Sequence, residues 1–326
     1  MLIESESHKA LTATLSSESF VADYERKIGF SKAPFSSLPK RKFLFQHESA
    51  IHVANTVAFS LKAGESAVKI VGEKGVGKTF LLQQIVSALG DDFYVMQNLD
   101  SSASPIDFLK SIVEEFGVTY SVSATNAQLL KQIQCLLYEH YSKTDYPIVM
   151  WVDDAQNLPL DTFKTIELLC ELQTHHRKLI HFIFSGTEKL NVHLAHESIK
   201  QLRHHIVHSE KLKPLSKKEM LGYIEQRLNN SGAIEGVCFT PAAVSLLYRK
   251  TRGIPRVINF VANKALLLAH GKGEKIISKS SVFQAASECD WIEPEDDKFL
   301  LYFFYIPLFL AAFGAITVFM FDWLVT

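Results

Sequence analysis

Cysteine is scarce in this chain. The four that occur, Cys135, Cys170, Cys238 and Cys289, stand far apart and form no C-x-x-C pair. That spacing excludes a disulfide-stapled scaffold and a zinc ribbon, and it reads as reduced thiols in a cytosolic setting. A surplus of either charge is missing too: 34 Lys and Arg face 35 Asp and Glu. Such a balance argues against a general attraction to nucleic acid, while leaving a local patch open. The N-terminus lacks the basic stretch and apolar run of a secretory signal; Glu4 and Glu6 stand where it would be positive. The histidines include no H-E-x-x-H, although eight of the 13 crowd between His175 and His208. The zinc-protease pattern is thereby removed, and these histidines read as partly exposed groups on a connection between two structural units. No internal repeat is present, which excludes a solenoid.

What the chain does have is a phosphate-binding signature. Val68 to Val71 is a short run rich in β-branched residues. It enters Gly72-Glu73-Lys74-Gly75-Val76-Gly77-Lys78-Thr79, and Phe80 continues into an amphipathic stretch to Leu89. The pattern is G-x-x-x-x-G-K-[ST] between a strand and a helix, the context this motif requires. The glycines let successive N–H groups turn inward, and the helix N-terminus adds partial positive charge at the same spot. Lys78 is expected to reach the β- and γ-phosphates of a nucleoside triphosphate, and Thr79 to ligate Mg²⁺.

Apolar runs and helical periods alternate along the chain around this turn. A helix is expected over Glu48 to Leu61, and a strand over Phe93 to Met96. Ser104-Pro105 caps a helix to about Phe116, and Asn126 to Tyr141 is another. Ile148 to Val152 and Leu179 to Phe184 read as buried strands, with a helix over Leu160 to Gln173 between them. Strands alternating with helices predict a parallel, covered sheet, hence an α/β fold. From Leu212 the pattern turns helical. Ser216 and Glu219 have capping-box spacing, and three further helices are expected from Thr240, Arg256 and Ser278.

The strand Ile148 to Val152 ends in Asp153-Asp154-Ala155-Gln156. On their own, two aspartates after a strand also describe a turn. Behind a phosphate loop they form the Walker B arrangement: Asp153 is the candidate Mg²⁺ ligand and Asp154 the candidate base for the attacking water. Ser185-Gly186-Thr187 closes the next strand. Its hydroxyls are placed for a γ-phosphate or a lytic water, and a plain glycine turn accounts for the same residues. Arg203 and Arg256 are candidate stabilisers of phosphoryl charge, with a surface salt bridge the alternative for each.

Together these motifs resemble one AAA+ group. They are the phosphate loop, Val152-Asp153-Asp154-Ala155-Gln156, Gln201-Leu202-Arg203, Leu212-Lys213-Pro214-Leu215-Ser216 and Gly253-Ile254-Pro255-Arg256-Val257-Ile258-Asn259. The group is the GspA/ExeA-type secretion ATPases, which also includes the MSHA pilus biogenesis ATPase. The resemblance spans about Tyr24 to Ala286. It implies a parallel-sheet core and a helical lid with ATP and Mg²⁺ between them. It further implies a homo-oligomer in which Arg203 completes a neighbour's site, with Arg256 as the lid sensor of bound nucleotide. It also implies work on a secretion system or type IV pilus, beside an inner-membrane partner. Asp154 departs from the group's usual Glu, and Arg203-His204-His205 from its usual Arg-Gln-Arg.

The expected organisation is a flexible segment at 1–22, a nucleotide-binding core at 23–208, a lid at 209–290, an acidic linker at 291–298 and a transmembrane helix at 299–321. The last stretch, Phe299 to Phe321, is 23 residues without a charge. As a helix it would span about 34 Å, against about 30 Å of hydrocarbon. The expectation is a single-pass inner-membrane protein whose ATPase faces the cytoplasm. Two alternatives stay open: a transposition-type ATPase acting on DNA, for which a basic stripe is missing, and a low-turnover nucleotide-binding scaffold, prompted by Asp154.

Overall fold

The computed structural model describes residues 30, 33–36, 45–96, 101–232 and 237–289. The expected flexible segment at 1–22, the acidic linker and the span at 299–321 lie outside the described residues. Among the described residues, no helix is long and apolar enough to cross a membrane.

Five parallel strands form the core sheet: β1 (Ala67–Val71), β2 (Tyr94–Met96), β3 (Ile148–Val152), β4 (Ile180–Gly186) and β5 (Ile206–Lys211), in the order β2-β3-β4-β1-β5. Side chains alternate across a strand, and here both faces are apolar because both are covered. Val68, Ile70, Val149 and Ile183 point to one face. There they pack with Val53, Val57 and Leu61 of α1 (Glu48–Lys62) and Leu82 and Ile85 of α2 (Lys78–Leu89). Met150, Val152, Phe182 and Phe184 point to the other face. They meet α3 (Pro105–Glu115), α4 (Asn126–Thr144) and α5 (Leu160–Cys170) through Phe108, Ile133 and Phe163.

Local chemistry sets the helix ends. The Ser104 hydroxyl accepts from Asp107 N–H, with Pro105 in the first turn. Thr125 and Gln128 form a capping box on α4. That helix ends at Thr144, with Asp145 left-handed, three residues further than its periodicity indicated and still short of Pro147. Helix α5 stops at Cys170, earlier than expected, because the chain turns at Glu171 into the bridge between Gln173 and Lys178.

Two short helices, α6 (Lys189–Leu194) and α7 (Lys200–His205), lead into β5. The histidines do not share one exposed connection: His181 is buried within β4, where its Nδ1 meets the Glu65 carbonyl at 2.6 Å, and His208 lies in β5.

The lid holds α8 (Lys217–Asn230), α9 (Pro241–Thr251), α10 (Pro255–Gly271) and α11 (Lys279–Ser287). It is not wholly helical. β6 (Cys238–Phe239) and β7 (Ile276–Ile277) pair in parallel. Its apolar centre includes Met220, Leu247, Ile258 and Val282, and Phe30 and Phe35 from the N-terminal side are buried in it.

Candidate functional site

The carboxyl ends of β1 and β3 meet the first turns of α2 and α10 around a cavity of about 500 Å³. Open parallel sheets bind ligands at this edge. The turn from Lys74 to Phe80 forms one wall, Asp153 and Asp154 a second, and Arg256 and Asn259 of the lid a third.

Gly75 and Gly77 have φ of +85° and +109°, conformations that favour glycine. Gly77 precedes α2 directly, so the helix begins at Lys78. The Lys78 ammonium is buried and donates to the carbonyls of Gly72 at 2.9 Å and Glu73 at 3.1 Å. An ammonium has three donors, so the loop uses two and leaves one. Burial pushes the Lys78 pKa below the usual lysine range, against the opposing pull of Asp154 and Asp153.

Next to it the Thr79 hydroxyl donates to Asp153 Oδ2, and the Ser185 hydroxyl donates to Asp153 Oδ1. The Asp154 N–H also reaches Asp153 Oδ1 at 3.0 Å. Asp154 itself is left-handed at φ +47°, which Asp tolerates better than most residues. One of its carboxylate oxygens accepts from Gln156 Nε2 at 3.0 Å.

A family model described as an AAA domain matches residues 62–194. General secretion pathway protein A of Aeromonas hydrophila is 29% identical over 272 residues, which are 83% of this chain and 49% of that protein. Residues 62–194 thus match an AAA domain, and the chain is similar to a GspA-type protein. It spans about half the length of that relative. Among solved structures, the ORC2 protein of Aeropyrum pernix in its ADPNP–ADP form matches with a TM-score of 0.60 at 18% identity, over 79% of this chain and 72% of that one. The Cdc6 protein of Pyrobaculum aerophilum matches with a TM-score of 0.62 at 16% identity, over 78% and 70%. At these identities the likeness speaks for the fold.

The residues at this cavity fit a nucleoside polyphosphate and a Mg²⁺ ion. A desolvated ammonium with a donor to spare suits a polyphosphate. A threonine hydroxyl facing a carboxylate is a pair of hard oxygen donors, which suits a Mg²⁺ that keeps waters for its other positions. Among the described residues no group of three or more His, Cys, Asp or Glu could hold a metal ion. Thr79 and Asp153 thus offer two oxygen donors, fewer than a protein cage would supply.

The expected residues divide by position. Lys74 to Phe80, Asp153, Asp154 and Arg256 border the cavity, whereas the Gly72 and Glu73 carbonyls brace Lys78. Ser185 is fully buried with its hydroxyl on Asp153, which makes it a brace for that carboxylate. Arg203, at the end of α7, is outside the cavity wall; its guanidinium lies 4.0 Å from the Glu197 carboxylate.

Sequence reading assigned no role to Phe45, His47, Tyr223 or Asn259, which also line the cavity. Tyr223 donates to Asn259 Oδ1 at 2.7 Å and accepts from Arg227 Nε at 3.1 Å, and Phe45 meets its ring edge-on. The buried Nδ1 of His47 has no partner among the described residues, and burial lowers the pKa of the ring. The G-I-P-R-V-I-N run contained the signal for Asn259. For Phe45, His47 and Tyr223, a place on the cavity wall is visible only in three dimensions.

Proposed function

We propose that this protein is a membrane-anchored ATPase that binds ATP with Mg²⁺ between core and lid. Hydrolysis would drive assembly of a secretion system or type IV pilus in the cell envelope. The observation that carries the reading is the contact of Thr79 and Ser185 with Asp153 beside the buried Lys78. It unites a hydroxyl–carboxylate pair and a desolvated cation at the mouth of a phosphate loop.

In this reading Lys78 and the inward N–H groups hold the β- and γ-phosphates. Thr79 and Asp153 hold Mg²⁺, whose charge offsets that of the phosphates when it is bound. Asp154 orients or deprotonates water. The base lies toward Phe45, His47 and Tyr223, where aromatic faces stack and the spare His47 nitrogen meets a ring nitrogen or amino group. Arg256 senses the nucleotide from the lid, and Arg203 acts on the site of an adjoining copy in a homo-oligomer. The uncharged stretch Phe299 to Phe321 anchors the chain in the inner membrane next to a partner of the machine, with the ATPase on the cytoplasmic side. An ATPase acting on DNA gains no support from the structural matches, which speak for the fold, nor from the balanced charge.

The test uses the full chain. It should pellet with membranes and resist carbonate, and in detergent it should turn over ATP only with Mg²⁺. A chain ending at Asp297 should be soluble and still bind ATP. Recovery of the full chain in the soluble fraction would remove the anchor, and absence of turnover would leave a binding scaffold.

A further inference from the structure

Gln156 joins two parts of the site. Its Nε2 donates to Asp154 Oδ1 at 3.0 Å, and its Oε1 accepts the backbone N–H of Thr187 at 3.0 Å. The orientation of the amide follows from chemistry. A backbone N–H only donates and a carboxylate only accepts, so Oε1 must face Thr187 and Nε2 must face Asp154. The fit at the other end is close. A Cβ placed on Gly186 would lie 2.5 Å from Gln156 Oε1, so only a glycine at 186 admits this side chain without a shift. Gln156 sits in the single 3-10 turn Ala155–Asn157, which the Asn157 N–H closes on the Asp154 carbonyl at 3.0 Å. The turn and the amide together hold a left-handed aspartate in one orientation at the cavity wall.

We infer that Gln156 is the positioning residue for Asp154 and ties its carboxylate to the end of β4. One Asp154 oxygen is occupied by the amide, which aims the other. Any displacement of Gly186-Thr187 is transmitted through the amide to the carboxylate, so the group that works on water follows the strand end. Only a primary amide does both jobs. A carboxylate at 156 would accept from Thr187 but repel Asp154, and an alanine would release both. The inference rests on the reading that Asp154 acts on water.

The experiment compares Gln156→Ala, Gln156→Glu, Asp154→Asn and the double variant Asp154→Asn/Gln156→Ala in the full chain. ATP affinity, kcat and KM are measured, with thermal unfolding as the check on folding. Gln156→Ala should leave ATP affinity within about twofold, because Lys78 and Thr79 are untouched, and lower kcat by about 10- to 100-fold, the usual effect of a misplaced catalytic group. In the Asp154→Asn background the same change should cost nothing further, since the two residues act as a unit. Gln156→Glu matches the native volume and should also lower kcat with ATP affinity held, because a carboxylate at 156 keeps the bond to Thr187 but repels Asp154. An unchanged kcat in Gln156→Ala, a loss that follows ATP affinity instead, or an additive loss in the double variant would overturn the inference. Where Gln156→Ala does not fold, an unchanged kcat in Gln156→Glu overturns it. Slow turnover in Asp154→Asn with normal turnover in Gln156→Ala rejects the inference alone. Wild-type turnover in Asp154→Asn withdraws both the inference and the reading beneath it.

Discussion

The backbone N–H of Arg256 donates to the carbonyl of Gly75 at 3.2 Å. The first turn of lid helix α10 therefore rests on the middle of the phosphate loop. A Cβ at Gly75 would come within 2.8 Å of Arg256 Cβ, and the loop there runs at φ +85°. Lid and loop cannot move independently while this contact holds.

Gly75→Ala tests the contact. The substitution meets both a steric conflict and a left-handed backbone, so it should destabilise the protein by about 1–3 kcal/mol. It should also weaken ATP binding, since it spoils the loop and displaces Arg256 together. Thermal unfolding and equilibrium binding of a fluorescent nucleotide measure the two effects. A variant with native affinity and native stability would show that the lid yields freely.

Lys78→Ala should abolish or greatly weaken ATP binding, because it removes the ammonium beneath the phosphates. The wild-type protein carries a further expectation. A phosphate needs the charged form of Lys78, and burial has lowered the pKa of that group. Its charge is therefore lost at a lower pH than that of an ordinary lysine, which titrates near about 10.4. Affinity should fall on the alkaline side before free lysine would titrate. Affinity that held until the pH at which free lysine titrates would separate Lys78 from the bound phosphate.

The two neighbouring aspartates should behave differently. Asp153→Asn leaves an amide facing Thr79 and Ser185 and should raise the Mg²⁺ concentration needed for activity. Asp154→Asn should keep ATP binding and lower turnover by about 10²-fold or more, the usual loss for a general base. Mg²⁺ titrations and steady-state rates on both variants distinguish the roles. Equal Mg²⁺ dependence in the two would dissolve the distinction.

Arg203 stands away from the cavity of its own chain, beside Glu197. Arg203→Ala should lower turnover. Mixing it with a Lys78→Ala subunit, whose own site is dead but whose Arg203 is intact, should restore part of the rate. If no mixing ratio restores any, Arg203 does not serve a neighbour.

Much of the nucleotide site was legible because it is local. Eight consecutive residues set the backbone directions of the phosphate loop, and flanking periodicity announces the strand before it and the helix after it. Caps were equally readable: Ser104, Thr125 and Ser216 each accept from a backbone N–H three residues on. Such contacts are made within one turn of chain, so spacing alone specifies them.

The tertiary structure decided the rest. The strand order places β4 between β3 and β1, and only that order puts the Ser185 hydroxyl on the Asp153 carboxylate. The edge strand β5 was missed because its side chains alternate between half-buried and exposed, with His208 and Glu210 among them, so no apolar run marks it. His181 read as one of a surface series, yet it occupies a core position of β4 and finds a carbonyl there. The link from Gln156 to Thr187 joins two β-strand ends that are 31 residues apart. The Tyr223–Asn259 pair joins two lid helices 36 residues apart. Chemistry confined to a single turn is encoded by residue type and spacing, whereas partners brought together across the sheet and the lid depend on how those elements pack.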